Sequence, residues 1–276
     1  MYDLPTYWIA ILLLIAMLVA NLIGHLVGSR RDIDRSEGQT SQTNATLASM
    51  LGLLALLLGF TFTMALQRFD ARSDAVLEEA NAIGTAYLRT RLLPGDTSSA
   101  ADVLFREYIE LRIEMGRVDL THPNALNAAD AKAKQIQQDL WSQGVRAAEL
   151  DPSPTRTGLF VQALNETIDQ YGVRAVALEK HIPEFVLYLL FAITIMAEGV
   201  LGYAGGLSNS RPIVAILSFS TLIVLVIFLI IDLDRPRRGF VEVNQASLQG
   251  LTSLFDEHSE PEDGSPKAAP SAAEHP

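Results

Sequence analysis

Residues 45–93 read ATLASMLGLLALLLGFTFTMALQRFDARSDAVLEEANAIGTAYLRTRLL. The first part, 45–66, is apolar and long enough to cross a bilayer core, which takes ~20 helical residues. It runs on without a break into a segment where Phe69, Val76, Ala80, Ile83 and Tyr87 recur every three or four residues, with Asp70, Asp74, Glu78 and Arg89 falling largely between them. That is the 3.6-residue period of an amphipathic helix. Pro94-Gly95 ends the pattern. One helix over the whole stretch would be roughly 73 Å long at ~1.5 Å per residue, against a hydrocarbon core of ~30 Å. The spacing therefore predicts a helix that crosses the membrane and continues into water.

Three more apolar runs flank it: Thr6–Val27, Glu184–Leu207 and Ile213–Ile231. The first begins MYDLP, without Lys or Arg, and its core is longer than that of a signal peptide. It reads as a retained membrane helix, with Tyr7 and Trp8 suited to the interface and Asn21 and His25 expected at headgroup level. Pro183 opens the third run and Arg211-Pro212 precede the fourth. In the second run Ala48, Gly52, Ala55 and Gly59 form a small-residue face of the kind that lets membrane helices approach closely. Residues 28–44 read as a polar connection.

Between the second and third runs, helical spacing recurs over Ser98–Val118, Ala125–Ala148 and Thr155–Lys180, separated by HPN at 122–124 and DPSP at 151–154. Short breaks between long helices predict an antiparallel bundle. The expected fold is all-α and polytopic, with four transmembrane helices near 6–27, 45–66, 184–207 and 213–232, and a cytosolic helical bundle between the second and third. The corresponding divisions are 1–66, 67–182, 183–255 and an acidic tail at 256–276. Within the third division, Phe240–Phe255 is expected as an amphipathic segment on the membrane surface. The tail, almost free of large apolar side chains, is expected to be disordered.

Composition narrows the chemistry. A net charge of −11 and a pI near 4.9 exclude a basic face for nucleic acid. With no cysteine, thiolate catalysis and Cys-ligated metal are excluded. The five histidines show no metal-ligand spacing. No catalytic residues, metal or cofactor are expected. The glycines at 199, 202, 205 and 206 lack the Lys-Ser/Thr of a phosphate loop and read as helix packing. Glu198 is the one acid deep in its run, and it lacks the second acid or histidine that an intramembrane enzyme would need. A charged acid at such depth costs ~2.5–3.5 kcal/mol, so Glu198 is expected to face the protein interior or a water-filled path. Asp232 and Asp234 end the fourth run, and parity of spans puts them on the face where Arg68 and Arg72 leave the second. Because a helix C-terminus already carries partial negative charge, these acids need a cation, and a clamp to Arg68 or Arg72 is expected.

Lys and Arg near the membrane number seven on the bundle face (68, 72, 174, 180, 235, 237, 238) and four on the other (30, 31, 35, 211). This favours a cytoplasmic bundle and cytoplasmic termini, although three Arg after the first span and none before it point the other way.

Two stretches, LLGFTFTMALQRFDARSDAVLEEANAIGTAYLRTRLLP (57–94) and DLDRPRRGFVEVNQ (232–245), resemble the hallmarks of the bacterial bestrophin-like membrane family, and the likeness runs over roughly 7–255. Bestrophins proper are pentameric anion channels with four membrane helices per subunit, the second lining the pore and prolonged by a cytosolic helical domain. The resemblance implies a homo-oligomer in the lipid bilayer of the bacterial inner membrane, a pentamer with an inorganic anion as permeant. No counterpart of the bestrophins' acidic calcium clasp is found. As a channel, the chain offers Phe60 and Phe62 for a hydrophobic constriction, with Thr63 and Glu198 as intramembrane polar groups. The alternative is a non-conducting scaffold or sensor whose bundle binds a partner.

Overall fold

The computed structural model describes residues 5–30, 37–117, 123–208, 211–236 and 240–253. The tail 256–276 and the arginines at 31, 35, 237 and 238 lie outside the described residues. The described residues form helices and connections, with no strand among them: α1 (Thr6–Ser29), α2 (Glu37–Arg89), α3 (Asp96–Arg117), α4 (Pro123–Leu150), α5 (Thr157–Glu179), α6 (Glu184–Leu207), α7 (Ile213–Asp234) and the short α8 (Ala246–Gln249). Among the described residues, four helices are long and apolar enough to cross a membrane. Three of the membrane runs open directly after a proline (Pro5, Pro183, Pro212), a residue that lacks the N–H a helix start would leave unsatisfied.

α2 starts at Glu37, well before the expected boundary. The polar residues EGQTSQTN extend the helix outward, because propagation adds a hydrogen bond per residue once a nucleus exists. At its other end a 3-10 turn, Thr90–Leu92, follows, and Gly95 adopts φ +55° to turn the chain. HPN 122–124 is less of a break than expected, since Pro123 and Asn124 begin α4.

The chain divides into two compact units, Met1–Ala75 with Gln170–Asn244, and Val76–Asp169 with Gln245–Pro276. In the first, α1 packs on α6 and α7. One apolar cluster joins Leu13, Met17, Leu54, Leu190, Ile223 and Ile227, and a second joins Ala65, Ile182, Leu187, Ile230 and Leu233.

In the second unit Phe105 sits edge-on between Tyr87 and Phe160, with ring centroids 6.4 Å apart in both pairs. Arg112 spans to Glu79 with Nε–Oε1 at 2.7 Å and Nη2–Oε2 at 3.0 Å, both side chains buried. Gln137 Nε2 donates to the Tyr108 hydroxyl at 2.9 Å. Burial and the neighbouring Asp102 carboxylate push the Tyr87 phenol up to about 12, so it stays neutral and accepts from Arg106 Nη2 at 2.9 Å. α8 lies on α3 in this unit, with Leu248 and Leu251 buried. Within the segment expected on the membrane surface, Phe240 and Val241 are by contrast exposed.

Candidate functional site

Glycine decides where the polar groups of the first unit can meet. A Cβ built on Gly24 would stand 2.0 Å from the backbone oxygen of Gly199, and one on Gly202 would stand 2.0 Å from that of Asn21. Gly28 and Gly206 are equally hemmed in, each with backbone 2.4 Å from the position a Cβ would take. Helices α1 and α6 thus approach backbone to backbone, as small residues allow in membranes. The small-residue face foreseen on α2 behaves differently: an added Cβ on Gly52 or Gly59 meets nothing within 4 Å.

This approach carries Asn21 of α1 to Glu198 of α6. Asn21 Nδ2 donates to Glu198 Oε2 at 3.1 Å and lies 3.3 Å from its backbone oxygen. From α7, Ser220 Oγ stands 2.7 Å from Glu198 Oε1 and 2.9 Å from the Ile216 carbonyl oxygen. Glu198 and Ser220 are 0% exposed and Asn21 3%. Among the described residues, the side-chain partners of Glu198 are these two neutral groups. A cleft of about 200 Å³ opens beside them, lined by Asn21, His25, Asn44, Gly202, Gly205 and Ser208 among others. Asn21, expected at headgroup level, instead stands between this cleft and Glu198. Its register with Glu198 is set by two helices far apart in sequence, and only the glycines of both helices hinted at the contact.

At the end of α7, Arg72 is 2% exposed and its guanidinium donates to the carbonyl oxygens of Leu233 and Asp234, the latter at 3.3 Å. These are acceptors a helix C-terminus leaves open. The carboxylates also hold backbone: Asp234 Oδ1 accepts from the Ile182 N–H at 2.9 Å, and Asp232 accepts from the N–H groups of Phe240 and Val241 at 2.9–3.0 Å. Arg72, Asp232 and Asp234 are thus gathered at one place, through main-chain groups of three segments. Arg68 is half-buried, and among the described residues it has no ion-pair partner. Arg174 and Arg235 are buried too.

Along α2, Phe60 is 59% exposed, while Phe62 packs against the cluster of Ala65, Ile182, Leu187, Ile230 and Leu233. Thr63 is exposed and donates to the Gly59 carbonyl at 2.9 Å. Thr46, Ser49 and Thr61 likewise return their hydroxyl protons to carbonyls one turn back. The polar side chains of this span are satisfied within their own helix, so they demand no partner from outside it. Among the described residues no cluster of His, Asp and Glu is arranged to hold a metal. The Asn21–Glu198–Ser220 group offers one acid and two neutral hydrogen-bonding partners, which suits holding a proton.

The family model described as the Bestrophin-like domain matches residues 10–248. No curated protein and no solved structure matches the chain.

Proposed function

The chain belongs to the bestrophin-like family, and from that membership we propose that it is the subunit of a homo-oligomeric channel for small inorganic anions in the bacterial inner membrane. Subunits meet around an axis along α2, whose span lines the pore, and the second unit and both termini stand in the cytoplasm. Phe60, with Thr63 beside it, faces the axis. Phe62 serves packing within the subunit.

The observation that carries this reading is how bare α2 is. Only 11% of its most apolar window is buried, against 22, 33 and 28% for the other three candidate spans. Exposed Ala48, Gly52, Ala55 and Gly59 on that span would let neighbouring backbones approach closely. A ring of phenylalanines at the level of Phe60 forms the hydrophobic constriction.

Purified protein should run as one oligomer by native mass spectrometry, a pentamer if the subunit number follows the bestrophins. In liposomes it should dissipate a chloride gradient, and Phe60→Ala should raise the flux. A well-formed oligomer that passes neither anions nor cations would overturn the channel. It would favour a scaffold, for which the apolar Trp141 and Val145, exposed one turn apart on α4, offer a docking face.

A further inference from the structure

We propose that Glu198 is a reversible proton-binding site within the membrane helices, supplied from water through the cleft beside Asn21.

The count of hydrogens at Ser220 carries the inference. Its hydroxyl has one proton and two neighbours that accept: Ile216 O at 2.9 Å and Glu198 Oε1 at 2.7 Å. It donates to one of them at a time. If it donates to Ile216 O, the short contact to Oε1 is a hydrogen bond only when Oε1 carries a proton and donates to Ser220 Oγ. If it turns to Oε1, the carboxylate is ionised and accepts from Ser220 and from Asn21 Nδ2. Ile216 O then loses only an extra bond. Every buried donor has an acceptor in both arrangements, so neither state leaves an orphaned polar group, the defect that makes buried polar sites expensive. Loading is the reaction of the carboxylate with hydronium to give the acid and water, with rotation of one hydroxyl.

The surroundings fit a site that exchanges protons rather than one that keeps a fixed ion pair. On α1 the groups facing this region are Asn21 and, one turn on, His25, which lines the cleft. On α7 there is Ser220, with Asp232 and Asp234 at the far end of the helix, engaged by backbone N–H groups. α6 adds Tyr203 one turn on, and Tyr188 and Glu184 near its start. The part of α2 nearest in the core, around Leu54, is apolar. Among the described residues no cation is a side-chain partner of Glu198, so a bound proton is what neutralises the acid in place.

The test is infrared difference spectroscopy of the full chain in lipid nanodiscs on stepping the pH. Wild type should show a carboxylic-acid C=O band that is lost as pH rises, and Glu198→Gln should lack it. Gln keeps the geometry, since its amide donates to Ser220 Oγ and its oxygen accepts from Asn21. Ser220→Ala should retain the band but shift it to higher frequency, because the acid loses a partner. Identical difference spectra for wild type and Glu198→Gln, over the pH range in which both stay folded, would overturn the proposal. Should Glu198→Gln not fold, a band unmoved by Ser220→Ala would overturn it equally. The spectra read protonation rather than conductance, so a failed flux assay and a failed titration are separate outcomes.

Discussion

Glu79 and Arg112 illustrate how much one side chain of the second unit depends on another. Glu79 sits on the apolar face of α2, among Val76, Ala80 and Ile83, and is 0% exposed. Its charge is tolerable there because Arg112 meets it with two parallel N–H···O bonds, the fork geometry that guanidinium and carboxylate share. Removing one partner strips the other buried charge of this fork, and breaking such a buried pair costs ~3–5 kcal/mol. Glu79→Ala should therefore lower the thermal midpoint sharply. Glu79→Ala combined with Arg112→Met should be less damaging than the sum of the two single changes. Strict additivity in a double-mutant cycle would count against the pairing.

At the scale of the element, the α1–α6 contact and the bare face of α2 make opposite forecasts for the same residue type. Gly202→Ala pushes a methyl into the backbone of Asn21, and overpacking costs ~1–3 kcal/mol, or more where backbone must move. Gly52→Ala and Gly59→Ala meet open space within the subunit. We expect Gly202→Ala to destabilise the folded subunit, and Gly59→Ala to leave it intact while altering subunit assembly. Thermal unfolding alongside native mass spectrometry separates the two effects.

A second forecast at this scale concerns the end of α7. Arg72→Ala removes a buried cation from two helix-end carbonyls, and hydrogen bonds to charged groups contribute ~1.5–3 kcal/mol each. Arg68→Ala removes a half-buried side chain that holds no ion pair among the described residues. The Arg72 variant should unfold at a clearly lower temperature, and the Arg68 variant close to wild type.

For the whole molecule, orientation is the property with the most consequence. The chain has no cysteine, so single cysteines can be introduced and labelled without background. With the second unit in the cytoplasm, Thr40→Cys should react with an impermeant maleimide in intact cells, while Ala129→Cys should react only after permeabilisation. The reverse pattern would invert the assignment. Of the seven basic residues counted for this face, Arg72, Arg174 and Arg235 are buried in the folded subunit. They can still steer insertion, which acts on the chain before its tertiary contacts close.

The sequence by itself determined the class: four apolar runs, α-helical periodicity with no strand pattern, and a second span carried on well past bilayer length. Those are local properties, set by hydropathy and by a repeat of 3.6 residues, and they survive without knowledge of neighbours. It also carried the two stretches by which the family is recognised. Tertiary structure alone decided which polar residues meet. Asn21 and Glu198 are 177 positions apart, and nothing periodic relates them. Their contact depends on glycines of two helices facing each other, whereas a Cβ on Gly52 or Gly59 of the second span meets nothing within 4 Å in the subunit. Likewise, the aspartates ending α7 announced a need for a cation, but not the backbone groups they also hold. Among the donors that meet them are the backbone N–H groups of Ile182, Phe240 and Val241, which only the folded path of the chain brings near.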